Sequence, residues 1–179
     1  MGDAMRSGGR RPQGRIGAGG FSLVELMVTV AVLAILSAVA VPSMTGLINA
    51  NRLSSASSEL VAAVQFARSE AVRRNVQVKL CGTADGATCT KAAGWSGWLV
   101  IDESGAKPEV LRTLVAPESL QISGPANGVV FRPSGLLAAA SSLTVCMPTT
   151  NPSSNQRVIT INVSGSARSS SKDGKGQCA

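Results

Sequence analysis

The chain has 179 residues, enough for one globular domain with additional segments and too few for two full domains. Apolar residues make up 44% and aromatic residues 3%, with no Tyr and no His, so the core must be aliphatic and imidazole-based acid–base chemistry is excluded. The net charge of +7 is unevenly placed: Arg6, Arg10, Arg11 and Arg15 precede Gly20 against Asp3 alone, and without residues 1–20 the chain keeps 13 basic and 9 acidic residues, a mildly basic +4.

Residues 1–20 are basic and Gly-rich, which predicts a non-helical cytoplasmic leader by the positive-inside bias. The run 21–41, FSLVELMVTVAVLAILSAVAV, carries one ionisable side chain, Glu25, and has about the ~20 residues that cross a bilayer as a helix. It predicts a transmembrane helix over 21–42, with the rest of the chain exported. A secretory signal cut near Ala38-Val39-Ala40 is the alternative. Glu25 argues against it, because a carboxylate costs roughly 2.5–3.5 kcal/mol at the centre of a membrane helix, and less near its end. The apolar run also exceeds the roughly 7–15 residues of a signal core, and helical patterning continues past the would-be cut.

Pro42 predicts a kink, since it donates no backbone hydrogen bond and its ring crowds the preceding turn. Over 43–75, Leu53, Ala56, Leu60, Val64, Ala67 and Ala71 recur at steps of three and four, the stripe of an amphipathic helix. The stripe is short and Ala-rich, which favours docking onto the chain's own globular domain over a coiled-coil seam. From 76 onward the period becomes two: Val76, Val78 and Leu80 alternate with Gln77 and Lys79. Further strands are expected at 95–102, 110–115, 120–123, 129–132, 143–147 and 157–163, punctuated by Gly, Pro, Asn and Ser. The expected fold class is α+β: a long N-terminal helix, transmembrane in one half and amphipathic in the other. It packs on a C-terminal antiparallel β domain (76–179) of two small sheets, which ends in a polar tail.

Cys81, Cys89, Cys146 and Cys178 all fall in the segment expected to be exported, where an even count favours disulfides, and four cysteines allow three pairings. The preferred one joins Cys81 to Cys89, closing a short Gly-rich loop, and Cys146 to Cys178, tying down the polar tail. Zinc spacing is not met, and no metal or cofactor is expected. No Gly-x-Ser-x-Gly elbow or phosphate-binding Gly loop is present, and Asp102-Glu103 beside Ser104-Gly105 reads as a solvated turn, so no catalytic residue is assigned.

Gly20-Phe21-Ser22-Leu23-Val24-Glu25-Leu26 resembles the class III signal of type IV pilins and of the pseudopilins of type II secretion. That resemblance implies a prepilin peptidase that cuts between Gly20 and Phe21 and N-methylates Phe21, making Glu25 the fifth mature residue. Pro42 matches the proline such proteins carry past the apolar core. Glu25 is then an assembly register, its carboxylate buried in a filament core against the Phe21 amine of a neighbouring subunit, since a buried charge needs a partner. The stretch Lys79-Leu80-Cys81 through Cys89 to Gly94-Trp95-Ser96-Gly97-Trp98 resembles GspH/FimT-type minor pilins and H-type pseudopilins. So do Val110-Leu111-Arg112, Gly128-Val129-Val130-Phe131 and Arg157-Val158-Ile159-Thr160-Ile161.

The resemblance implies a non-catalytic structural subunit in the bacterial inner membrane, single-pass and surrounded by lipid, with its N-terminus cytoplasmic and its C-terminal domain periplasmic. An inner-membrane assembly platform would then draw it into a periplasmic or surface fibre with other pilin or pseudopilin subunits, near the tip, aiding assembly and protein secretion. Some minor pilins of this subgroup capture DNA through a C-terminal Gly-Arg-x-Arg, and Gly165-Ser166-Ala167-Arg168 departs from it at Ser166. Arg168, Lys172 and Lys175 are the candidate phosphate contacts. With few aromatics for base stacking, a solvated Ser, Gly and Lys tail is the simpler reading.

Overall fold

The computed structural model describes residues 20–178, the side chains at 39 and 41–43 excepted, so the expected leader lies outside the described residues but for Gly20. One helix, α1, runs Leu23–Arg74. Ser22 caps it: the Glu25 N–H donates to Ser22 Oγ at 3.2 Å, and the Leu26 N–H donates to the Ser22 carbonyl at 3.1 Å. Asn75 ends it in the left-handed region (φ 57°), and the Val76 N–H reaches back to the Ala71 carbonyl at 3.2 Å, the six-to-one bond of a Schellman stop.

The described residues divide into two compact units, one ending at residue 40 and the other beginning at residue 41. Pro42 lies within the helical run, just inside the second unit. Described side chains are unbroken only over 23–38 in the apolar half, and among the described residues no helix is long and apolar enough to cross a membrane.

In the second unit the helix packs on two antiparallel sheets. Strands β1 (Val78–Thr83), β2 (Gly94–Trp95), β3 (Gly97–Asp102), β4 (Glu109–Val115), β5 (Gln121–Ser123), β6 (Val129–Phe131), β7 (Ser141–Cys146), β8 (Gln156–Ile161) and β9 (Ala167–Lys172) follow in chain order. One sheet has the order β4-β3-β1-β6 and the other β2-β5-β7-β8-β9. Leu53, Leu60, Val64, Ala67 and Ala71 of the helix are fully buried against Trp98, Phe131, Leu143 and Ile159, so the stripe docks onto the chain's own sheets. Ala63 joins them, whereas Ala56 is only partly buried.

Several strand expectations shift for local reasons. The first strand starts at Val78 rather than 76, because Asn75 and Val76 complete the helix stop. The strand expected at 95–102 is two: β2 pairs with β5 and β3 with β1, so the chain changes sheets at Ser96. Gly97, just past the switch, lets β4 approach closely, since a Cβ there would collide with the Leu114 carbonyl. All six residues of β3 are buried. Trp98 and Val100 face the main core, while Leu99 and Ile101 pack with Cys81 and partly buried Cys89 in a second, smaller cluster.

The polar tail needs the largest correction. Residues 167–172 are not a solvated tail but strand β9, paired with β8 from Gln156↔Lys172 to Ile161↔Ala167. The hairpin turns at Gly165 (φ 76°), whose N–H donates to the Asn162 carbonyl at 2.8 Å. Its sequence, ARSSSK, hides the strand because the residues facing α1 are Ala and Ser, which leaves no apolar alternation to read.

Candidate functional site

Among the described residues the apolar half of α1 is exposed all round: Leu33 is 61% accessible and Leu36 60%, Leu23, Val24, Leu26, Met27, Val28 and Val30 are likewise exposed, and so is Phe21 just before the helix. A helix apolar on every side needs an apolar environment that this unit does not itself provide. Glu25 is the exception in that run. With Ser22 as the cap it occupies the third helical position, where a carboxylate meets the positive end of the helix dipole and Ser-x-x-Glu has the spacing of a capping box. Among the described residues no ion pair or side-chain hydrogen bond engages its carboxylate. Ser22 is the residue that reasoning from the charge alone passes over, and the Ser-x-x-Glu spacing is the signal that finds it.

At the other end of α1 the charges are paired. Arg74 donates from Nε to Glu70 Oε2 at 2.8 Å and from Nη1 to Glu109 Oε2 at 2.6 Å, and its Nη1 lies 3.7 Å from Asp102 Oδ2. Arg73 adds two bonds to Glu70, at 3.0 and 2.6 Å. Hydrogen bonds from Arg73 and then Arg74 pull the Glu70 carboxyl down to about 2. The Ser104 hydroxyl and N–H, at 2.6 and 2.8 Å, hold Asp102 below the usual carboxylate range, with the Arg74 charge adding to the effect. The expected solvated turn at Asp102-Glu103 is thereby corrected. Asp102 is buried at the end of β3 and bound to Ser104, and Glu103 pairs with Lys79 at 3.0 Å. Arg74 is shared by Glu70, Asp102 and Glu109, and Lys79 holds Glu103, so the acids of this group are all held as in a structural clamp.

The four cysteines form two disulfides, Cys81 with Cys89 and Cys146 with Cys178. The second anchors the C-terminus beside fully buried Asn155. Asn155 donates from Nδ2 to the Met147 carbonyl at 2.9 Å and to the Gln177 carbonyl at 3.2 Å, and its Oδ1 accepts the Gly174 N–H at 2.8 Å.

Arg168 and Lys172 both lie on β9, four residues apart and so on one face of the strand. Lys175 stands apart in the following turn, with φ 51° and its N–H donating to Asp173 Oδ1 at 2.8 Å. The structure therefore brings together two of the three basic residues singled out for DNA.

Residues 56–165 match the family described as Type II transport protein GspH, and 17–41 match the family described as Prokaryotic N-terminal methylation motif. Among solved structures the chain is similar to the type IV minor pilin FimU of Pseudomonas aeruginosa, with 24% identity, a TM-score of 0.51, and 68% of this chain and 89% of that one covered. It is also similar to the minor pseudopilin EpsH from the type 2 secretion system of Vibrio cholerae, with 12% identity, a TM-score of 0.52, and coverage of 67% and 97%. No curated protein matches the sequence.

Proposed function

The chain belongs to the GspH family of minor pilins and pseudopilins, and from that premise we propose that it is a minor subunit of a type II secretion pseudopilus or type IV pilus, placed near the tip and aiding assembly and secretion. In this reading a prepilin peptidase cuts between Gly20 and Phe21 and methylates the Phe21 amine. The apolar half of α1 then holds the subunit in the inner membrane until the assembly platform passes it to the other subunits of a periplasmic or surface fibre. In the same reading Pro42, which donates no backbone hydrogen bond, would bend the helix where the apolar run ends.

One observation carries the proposal: Glu25 is the sole charge in a helical run exposed and apolar on all sides, and its carboxylate has no partner among the described residues. The helix dipole lowers the cost of that charge without removing it. A second subunit's Phe21 amine removes it, because a buried carboxylate and a buried amine are tolerated together and not singly. DNA capture keeps only Arg168 and Lys172 as a facing pair, with no aromatic side chain on the strand, so the fibre-subunit role is the one carried forward.

The test is to express Glu25→Ala in cells that build the fibre. The substituted protein is expected to remain in the inner-membrane fraction with Phe21 as its N-terminus and to be lost from purified fibres and partner complexes. Recovery with its partners at the normal level would refute the register role of Glu25.

A further inference from the structure

The exposed strand edges of this fold are not alike. The pairing of β4 with β3 shifts register between Val100 and Ile101, an irregularity of the kind that blunts an edge, and β2 and β6 span two and three residues. The six residues of β9, by contrast, pair with β8 without interruption, contain no Pro, and are all exposed beyond Ala167. Because the Asn162 N–H donates to the Ser166 carbonyl, the antiparallel alternation turns the backbone groups of 168, 170 and 172 toward β8 and those of 167, 169 and 171 outward.

Beneath this edge runs a groove between β9 and α1, lined by Ser54, Ser57, Ser58, Ser169 and Ser171 with Arg157. It is floored by the 2.7 Å contact between the Ser57 and Ser169 hydroxyls. Apart from Arg157 and Val61 the lining side chains are serines, which leaves room for small side chains of another strand. On the opposite face of β9 stand Arg168 and Lys172, about 13 Å apart at ~3.3 Å per residue. The strand itself carries no acid, and the nearest in sequence, Asp173, accepts the Lys175 N–H.

We propose that the outer edge of β9 receives an extended peptide segment of a partner protein by strand addition, the segment carrying acidic residues at positions i and i+4 and small residues between them. Main-chain bonds to 169 and 171 supply affinity, and the acids fall opposite Arg168 and Lys172, while the small residues enter the serine-lined groove. A second copy of this chain is the wrong occupant. Symmetric pairing centred on Ser170 would set Arg168 against Lys172, a like-charge cross-strand pair.

The test uses the full-length protein in detergent micelles and the labelled heptapeptide Thr-Glu-Ala-Thr-Ala-Glu-Thr. Binding by fluorescence anisotropy is expected, with the amides of Ser169 and Ser171 newly protected from hydrogen exchange and that of Ser170 unchanged. Replacing both Glu by Lys in the peptide, or exchanging Arg168→Glu with Lys172→Glu in the protein, is expected to weaken binding about tenfold, the scale of two cross-strand ion pairs. Combining the two changes should restore it. N-methylation of alternate peptide nitrogens, which leaves the protein untouched, is expected to abolish binding. The proposal is overturned if the acidic and basic peptides bind alike, or if neither binds. It is equally overturned if Ser169 and Ser171 are already protected through self-association, or if a DNA duplex binds with the same Arg168 and Lys172 dependence while the peptide does not.

Discussion

Two glutamates on one helix mark two ways of stabilising a fold. Glu70 lies where α1 meets the sheets, and Arg73 and Arg74 of its own chain satisfy it within 3.0 Å. Glu25 lies in the first turn, with a cap below it and apolar residues exposed around it. The same division holds for the apolar residues: Leu53 and Leu60 are fully buried by the sheets, whereas Leu33 and Leu36 are mostly exposed. One part of the helix completes its interactions within the chain. The other leaves its apolar side chains and a solitary charge exposed, which is the contrast the proposed fibre role rests on.

The largest effects should separate these two regimes. If the proposed pairing holds, Glu25→Ala would strand a neighbour's amine, a loss on the order of 3–5 kcal/mol for a buried pair, and incorporation into fibres should fall by about a hundredfold or more. Its thermal unfolding, followed by circular dichroism in detergent, should not change. Leu60→Ala should do the reverse, destabilising the second unit by about 2–5 kcal/mol through the cavity it leaves, while membrane retention is kept. If Glu25→Ala lowered the unfolding midpoint as much as Leu60→Ala does, the separation between the two regions would fail.

How far each region could be read in advance follows from the same contrast. The α1 stripe and most of the strands from β1 to β8 announce themselves because apolar side chains recur at the helical or strand period wherever a face is buried. β9 does not, since its inward side chains are Ala167, Ser169 and Ser171 and its partner on α1 is Ser57. The break between β2 and β3 is equally hidden, because Trp95 and Trp98 are both buried and only the pairing of β2 with β5 and of β3 with β1 shows that the chain has changed sheets. Asp102 reads as solvated beside Ser-Gly, yet Arg74, distant in sequence, and the backbone of Ser104 determine its surroundings. Glu25 is the opposite case, conspicuous in the sequence because nothing nearby in the chain compensates it.

An intermediate effect probes the C-terminal anchor. Cys178→Ser opens the bridge to Cys146 and is expected to cost about 2–4 kcal/mol. Exchange protection should be lost first at Gly174 and along β9, since Asn155 holds Gly174 and the Gln177 carbonyl. Protection at β1 and β3, in the other sheet, should persist. Uniform loss across both sheets would show that the anchor supports the whole unit rather than the edge at which β9 lies.

The smallest effect concerns the clamp that Glu70 makes. Its carboxyl is lowered from 4.5 to about 2 by the hydrogen bonds of Arg73 and then Arg74, so the folded state binds the proton less readily than the unfolded chain does. The stabilisation is therefore complete above about pH 4.5 and is lost as pH falls toward 2, because protonation is then less unfavourable to the unfolded chain. Asp102, lowered by Ser104, and Asp85, lowered chiefly by the Thr88 and Ala87 N–H groups, add loss of the same sign. In Glu70→Gln the unfolding midpoint should be lower than in the unsubstituted protein at pH 6, and the gap should narrow as pH approaches 2. A gap that stayed constant over that range would mean that Glu70 acts through its shape and packing rather than its charge, and the in-chain pairing that distinguishes it from Glu25 would lose its energetic basis.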